Sequence, residues 1–530
     1  MAVIWWLLAA GLPLATAVAF LALSPGAEPR NDAARRLGRV APLSLLPAAV
    51  LAVLGPAAGT VDAPWLLIGA TTTLDPVARP LLLTAAVLYA AGLAAAAVSG
   101  VRRTAVLSAL LLICFVGNAT VFVAGDAGTF YVGYAVMSVA AYGLVVHSRS
   151  ADARRAGRTY LALTLVSEMA VLVALLLVVD AGGTLLADAP AAVAASPHRS
   201  TIVGLLLLGF GIKAGTFPLH GWLPLAHPAA PPPGSAVLSG AMIKAGLVGW
   251  LRFLPLGEVA LPGWGTTLVL LALVGAFLSL VPGVLTDDPK VSLAYSSVSQ
   301  MGFLGVLVGV ALTAPDLAGV CGAAAVVYAV HHGVAKGGLF LSVTVWRLHG
   351  AGPLRPYVLA GMALLALAVA GAPLGSGSVA KYAAKQALSP AAVEVVDLAA
   401  LLPLVGTVST LLLVRAGVRL LTATRPDSGR LDAAVVSWTV LVLGGTVATW
   451  YLAGTAFPEL KVPSLDAVTF WDALWPVLLG LGLAAGTWAL VRTDRLPTRL
   501  VAARVPPGDL LVPVERGALR LAGATARGSA

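Results

Sequence analysis

Five lysines, Lys213, Lys244, Lys336, Lys381 and Lys385, stand in stretches otherwise built of alanine, valine, leucine and glycine. An ammonium held in hydrocarbon costs about 2.5 kcal/mol or more, so amines retained there point to function. Their spread over separate stretches implies a route for a proton or ion, not one binding pocket. Glu168, in TYLALTLVSEMAVLVALLLV, is the one carboxylate deep in such a stretch. Burial disfavours the charged form of an acid and of an amine alike. Both then give up and take protons under mild conditions, which is what a relay requires.

Histidines extend the set. In YAVHHGVAKGGLFL, His332 and Lys336 are spaced i, i+4 and share a helix face. Imidazole changes charge near neutrality. His331 faces elsewhere, as packing or as a secondary member. His220 and His227 flank a Pro-rich interruption, where they mark a proton entrance or cap polar backbone. Lys385 lies near a helix end, where a lysine can snorkel to the interface; Lys244 lies mid-stretch. HExxH, P-loop, GxGxxG and GxSxG patterns are missing. Cys114 and Cys321 read as small buried hydrophobes. We therefore expect no cofactor, no metal, and no redox or hydrolytic chemistry in this chain.

The elements that must carry these groups follow from composition. The 530 residues are 59% hydrophobic and 11% charged. Repeated apolar stretches of about 20 residues predict an all-α polytopic membrane protein of 14–15 transmembrane helices. The reading with fifteen spans sorts 24 of the 33 basic residues into links and tail on one side and leaves four opposite. By the positive-inside rule the N-terminus is outside and the tail cytoplasmic. The net charge of +10 then reflects topology and attraction to the lipid bilayer, with no nucleic acid partner. The first helix reads as uncleaved, and the heavy Ala, Val, Gly and Arg usage points to a GC-rich bacterial genome; the expected location is the bacterial inner membrane. The tail carries an amphipathic stretch at 509–521 that lies on lipid, docks on a partner or forms a disordered end.

Two spans are broken. The seventh runs through GIKAGTFPLHGWLPLAHPAAPPPGSA and the twelfth through GAPLGSGSVAKYAAKQAL. Backbone groups freed there must be met by protein or by water in a cavity. Grouping spans four to eight (104–254) and nine to thirteen (266–414) makes each broken helix the fourth of five. An odd helix count inverts the second unit, giving two inverted five-helix repeats with a site near the midplane. Helices 1–3 (1–103) precede them; 433–491 and the tail 492–530 follow.

These stretches resemble a known family, the antiporter-like membrane subunits of respiratory complex I, Mrp-type cation/proton antiporters and energy-converting hydrogenases. The matching segments are GIKAGTFPLHGWLPLAHP with GSAVLSGAMIKAG, DDPKVSLAYSSVSQMGFLGVLVG, HHGVAKGGLFLSV and GAPLGSGSVAKY. The resemblance covers about 65–420 and is most similar to the hydrogenase branch. It implies two half-channels, with family positions falling on Lys213, Lys244, His332, Lys336, Lys381 and the acidic Glu168. Two positions depart. Tyr134 and Ala135 stand where the family has a Trp-Glu pair, whose glutamate partners the seventh-helix lysine, and Leu225 replaces an acid. Either Glu168 takes over, or the first half-channel is inactive. These departures suit a divergent paralogue in a related assembly.

The expected function is a proton- or cation-translocating subunit working with other membrane subunits of a complex I-like, Mrp-like, hydrogenase-like or carbon-uptake assembly. A self-contained proton-coupled secondary transporter and a non-conducting structural paralogue are the alternatives. A lipid-linked transferase is the weakest, since no soluble loop carries an acidic catalytic pair.

Overall fold

A computed structural model describes residues 2–24, 32–64, 66, 69–391, 397–423, 426–495, 504–508 and 511. Apart from Leu511, the amphipathic stretch expected at 509–521 lies outside the described residues. Helices dominate: α1 (Val3–Leu23), α2 (Asp32–Ala58), α3 (Ala78–Val98), α4 (Thr104–Val123), α5 (Ala127–Val145) and α6 (Ala151–Asp180). The seventh span is split into α7 (Arg199–Ala214) and α8 (Leu223–Ala229). Then come α9 (Pro232–Phe253), α10 (Pro262–Val284), α11 (Pro289–Thr313), α12 (Pro315–His349) and α13 (Gly352–Ala370). α14 (Ser376–Leu388) is the second half of the broken twelfth span. α15 (Leu398–Thr422), α16 (Ala433–Ala456) and α17 (Ala467–Arg492) complete the bundle.

Among the described residues, fourteen helices are long and apolar enough to cross a membrane. The broken seventh span is not among them, because its two pieces are each too short. The only sheet among the described residues is a small hairpin, β1 (Val61–Ala63) with β2 (Ala70–Thr72), in a link.

Helix starts are written locally. Asp126 accepts from Thr129 N at 2.8 Å, Ser150 from Ala153 N at 3.1 Å, and Asp288 from Lys290 N at 2.7 Å with Pro289 following. Each satisfies amides that the first turn leaves open. Both breaks open on a glycine in the left-handed region, Gly215 (φ 68°) and Gly371 (φ 96°). That conformation ends a helix and penalises any side chain.

Burial separates centre from rim. α9 and α11 have 94% of their apolar window buried, whereas α1 and α17 have 17%. The lysine-bearing α9 is thus in the packed interior, and α12, also lysine-bearing, is 72% buried. Links also meet in two groups. At one end Arg252 pairs with Asp75, Asp126 takes Thr71 N at 2.7 Å, and Leu261 N donates to Leu312 O at 2.7 Å. At the other, Arg347 donates to Ser99 O, His349 Nε2 lies 3.2 Å from Asp432, and Arg415, Arg419 and Arg504 surround Asp287. Every one of these contacts joins segments that the charge sorting put on the same side.

Candidate functional site

The charged groups fall into separate clusters. The first spans α5, α6 and α7. Lys213 Nζ donates to Ser138 Oγ at 2.6 Å, and Ser138 Oγ donates to Glu168 Oε1 at 2.5 Å. Lys213 and Glu168 form no direct ion pair; the hydroxyl stands between them. The Lys213 ammonium also sits 4.6 Å from the Tyr134 ring centroid, a cation–π distance. Tyr134 Oη meets Ser167 Oγ at 2.7 Å, and Ser167 Oγ donates to Gly209 O at 2.7 Å. Lys213, Tyr134, Ser138 and Ser167 are all buried.

The second cluster lies where α9 crosses α12. Lys244 Nζ meets His332 Nδ1 at 2.5 Å and Ser239 O at 2.7 Å. Residues Leu238–Met242 just before Lys244 form a π-helical turn, in which Ile243 N bonds Leu238 O. Such bulges redirect backbone carbonyls and recur at functional sites. Here the turn leaves Ser239 O facing the ammonium. Ser239 Oγ meets Ser297 Oγ at 2.8 Å on α11. Lys336, one turn beyond His332, donates to Leu293 O at 2.9 Å, a carbonyl also taken by Ser297 Oγ at 3.2 Å. Lys244, His332 and Lys336 are almost wholly buried. Among the described residues none of the three has a carboxylate partner.

A third group follows the second break. His331 Nδ1 bonds Ser376 Oγ at 2.8 Å, so this histidine reaches the first turn of α14. Tyr328, packed edge-on to His331, donates to Gln300 Oε1 at 2.8 Å, and Gln300 Nε2 donates to Ser409 Oγ at 2.9 Å. Lys381 Nζ folds back onto Ala370 O at 2.7 Å, the carbonyl that ends α13. Lys385 stands apart, half exposed, paired with Asp472 at 2.9 Å. His220 is buried in the first break with its ring 5.7 Å from that of Phe217 and 6.2 Å from that of Tyr295. His227 stacks on Phe340 at 4.3 Å, and neither ring nitrogen has a hydrogen-bond partner among the described residues.

The structure thus gathers Lys213 with Glu168, and Lys244 with His332 and Lys336. No direct hydrogen bond joins Lys213 to Lys244, or His331 to Lys381. Sequence reasoning missed Ser138, Ser239, Ser297 and Gln300. It also missed Lys290, counted among link charges, yet buried with its amine on Ala230 O. Among the described residues no three His, Cys, Asp or Glu side chains converge as a metal would require.

Residues 124–402 match the family described as NADH:quinone oxidoreductase/Mrp antiporter, transmembrane. The chain belongs to this family. An uncharacterised protein of Mycobacterium tuberculosis is 33% identical over 293 residues, 51% of this chain and 44% of that protein. Hydrogenase-4 component B of Escherichia coli K12 is 33% identical over 233 residues, 42% of this chain and 34% of the relative. NADH-quinone oxidoreductase subunit M of the same organism is 38% identical over 151 residues, 28% of each chain. Each match spans less than half of the relative's own length. A chain of the Mrp complex from Dietzia sp. DQ12-45-1b superposes with a TM-score of 0.70 at 22% identity, covering 97% of this chain and 63% of that one. A chain of an archaeal membrane-bound sulfane sulfur reductase does so at 0.69 and 19% identity, covering 91% and 99%. At those identities the likeness establishes the fold.

The NADH:quinone oxidoreductase/Mrp antiporter match runs from α5 into α15 and so takes in every buried lysine described above. The protein is a multi-pass membrane protein, built like the antiporter-like subunits of that family. Ala135, which the sequence resemblance puts at a family glutamate, falls one turn from Ser138, the residue that joins Lys213 to Glu168.

Proposed function

We propose that this chain moves protons, or exchanges a monovalent cation for protons, as an antiporter-like subunit of a multi-subunit complex in a bacterial cytoplasmic membrane. The observation that carries the reading is the 2.5 Å contact of Lys244 Nζ with His332 Nδ1 in the packed interior. An ammonium donating to a neutral imidazole becomes, after one proton hop, a neutral amine beside an imidazolium. Neither state gains or loses net charge, so the hop avoids the cost of a new buried ion. Lys336 on the same face extends the path, and Lys213 with Glu168 forms the entry half. The two glycine-initiated breaks support the division into inverted units 104–254 and 266–414.

Links of matching charge class meet at each end of the bundle, which supports an outside N-terminus and a cytoplasmic tail. The relatives named as hydrogenase and quinone oxidoreductase components support partners that carry the redox or exchange chemistry. The test is proton flux in membrane vesicles holding the full chain with its native companions. Lys244→Ala and Lys213→Ala are each expected to lower flux at least about tenfold, the equivalent of about 1.4 kcal/mol in barrier. Unchanged flux in both variants would remove the relay.

A further inference from the structure

The second break borders a cavity of about 320 Å³ that the relay as described does not use. Its walls are largely apolar, with Phe303, Trp450 and Phe470 among them, but Lys381, Lys385 and Asp472 also line it. Lys381 is half-buried and holds its amine on Ala370 O, another wall residue. Lys385 follows it by four residues on α14 and so shares its face. Asp472 comes from the opposite wall, α17, and holds Lys385 at 2.9 Å. The side chains of that pair are 43% and 48% exposed, which sets them at the rim while Lys381 reaches inward. By liquid volume the cavity has room for about ten waters.

We propose that Asp472 is the last proton acceptor on the outward path, at the mouth of this cavity, and that Lys385 is the positioning residue that holds its carboxylate there. The proposal rests on the relay reading above. The step balances simply. An N–H bond of Lys381 breaks, the proton crosses the cavity waters, and an O–H bond forms on Asp472. The carboxylic acid then releases that proton to the outer aqueous phase. Lys381, left as a neutral amine, is recharged from the interior. The titratable groups lining the cavity are Lys381, Tyr382, Lys385 and Asp472. Asp472 is therefore the sole carboxylate there among the described residues. Asp466, earlier on the same element, is occupied as its N-cap on Thr469 N at 2.8 Å.

The experiment uses right-side-out membrane vesicles with the full chain and its companions. Asp472→Asn is expected to cut proton flux about tenfold or more and flatten its dependence on outer pH, and Asp472→Glu to restore both. Lys381→Ala serves as the reference for the relay itself. If Lys381→Ala stops flux while Asp472→Asn leaves flux and its outer-pH profile unchanged, the outlet proposal is overturned and the relay stands. If neither variant has an effect, both fall. A second arm covers poor expression of Asp472→Asn. In Asp472→Cys, a membrane-impermeant charged thiol reagent added outside should label the new thiol and block residual flux, because Cys114 and Cys321 are buried. Absence of labelling from outside would also overturn the proposal.

Discussion

A single hydroxyl sets the behaviour of the first cluster. Ser138 Oγ accepts from Lys213 and has one proton of its own to give. That proton can go to Glu168 at 2.5 Å or to Tyr134 O, one turn back, at 2.7 Å, but not to both at once. The charge on Glu168 therefore decides which way the hydroxyl points and how well Lys213 holds its proton. The family resemblance implies that a glutamate at position 135 would otherwise do this work. A hydrogen bond to a charged group is worth about 1.5–3 kcal/mol. Ser138→Ala should therefore slow proton flux about ten- to a hundredfold, and Ser138→Thr should retain most of it. Adding Ala135→Glu to Ser138→Ala should recover flux, since the family resemblance puts an acidic partner of the seventh-helix lysine at that position. Flux in Ser138→Ala equal to that of the parent would mean that the first half does not conduct.

At the scale of elements, the Lys244–His332 contact exists because α9 and α12 cross very closely. A Cβ on Gly240 would lie 2.7 Å from Gly333 O, and one on Gly333 would lie 2.6 Å from Gly240 O. Backbone cannot move aside as a side chain can, so a methyl at either place wedges the helices apart. Small residues at such crossings are the usual means of close approach in membranes. Gly333→Ala should destabilise the protein by about 1–3 kcal/mol, as overpacking does, and should lose flux with it. Gly322→Ala is the control: it lies on the same helix, and its nearest neighbour is Leu251 Cδ2 at 4.0 Å. A thermal-unfolding comparison in detergent checks the pair, and equal stability of the two variants would refute the wedge. The crossing also shows what the sequence made legible. Apolar length and the Gly–Pro breaks are readable because lipid forces every backbone group into a helix or a protected cavity. Lys244 and His332 were recognisable one by one as misplaced charges and titratable rings. Their pairing, 88 residues apart in sequence, needed the crossing. The π-helical turn at Leu238–Met242 leaves no compositional mark. Ser138 and Ser297 were hidden because a serine that bonds its own helix is unremarkable in any apolar span. Lys290 was hidden because Asp287, Asp288 and Pro289 beside it look like a solvated link, although Asp288 is the cap that draws Lys290 into α11.

At the scale of the whole molecule, one carboxylate ties three distant parts of one end together. Asp287, in the link after α10, meets Arg415 and Arg419 of α15 and Arg504 of the tail. Beside it Val505 N donates to Leu285 O at 3.2 Å, and Gly508 lies against Leu225 at the first break. The hydrogen bond from Arg504 and the surrounding guanidinium charge hold the Asp287 carboxyl below its ordinary range, against a smaller opposing effect of burial. A carboxyl lowered on folding adds stability that is fully present above its unfolded value of about 3.9 and is lost as pH falls through the lower, folded value. The tail contact should therefore be intact at neutral pH and dissolve only in acid below about pH 4. Asp287 is 55% exposed, so salt should weaken the cluster too, the Debye length shrinking from about 8 Å at physiological strength to about 3 Å at 1 M. Hydrogen exchange of the Val505 amide, corrected for its intrinsic rate, reads the contact directly. Exchange should be slow at neutral pH in low salt, faster in 1 M salt, and fast at every salt concentration in Asp287→Asn. An amide equally protected in Asp287→Asn would mean that the tail is held by its apolar contact with Leu225, and that Asp287 serves only Arg415 and Arg419 of α15.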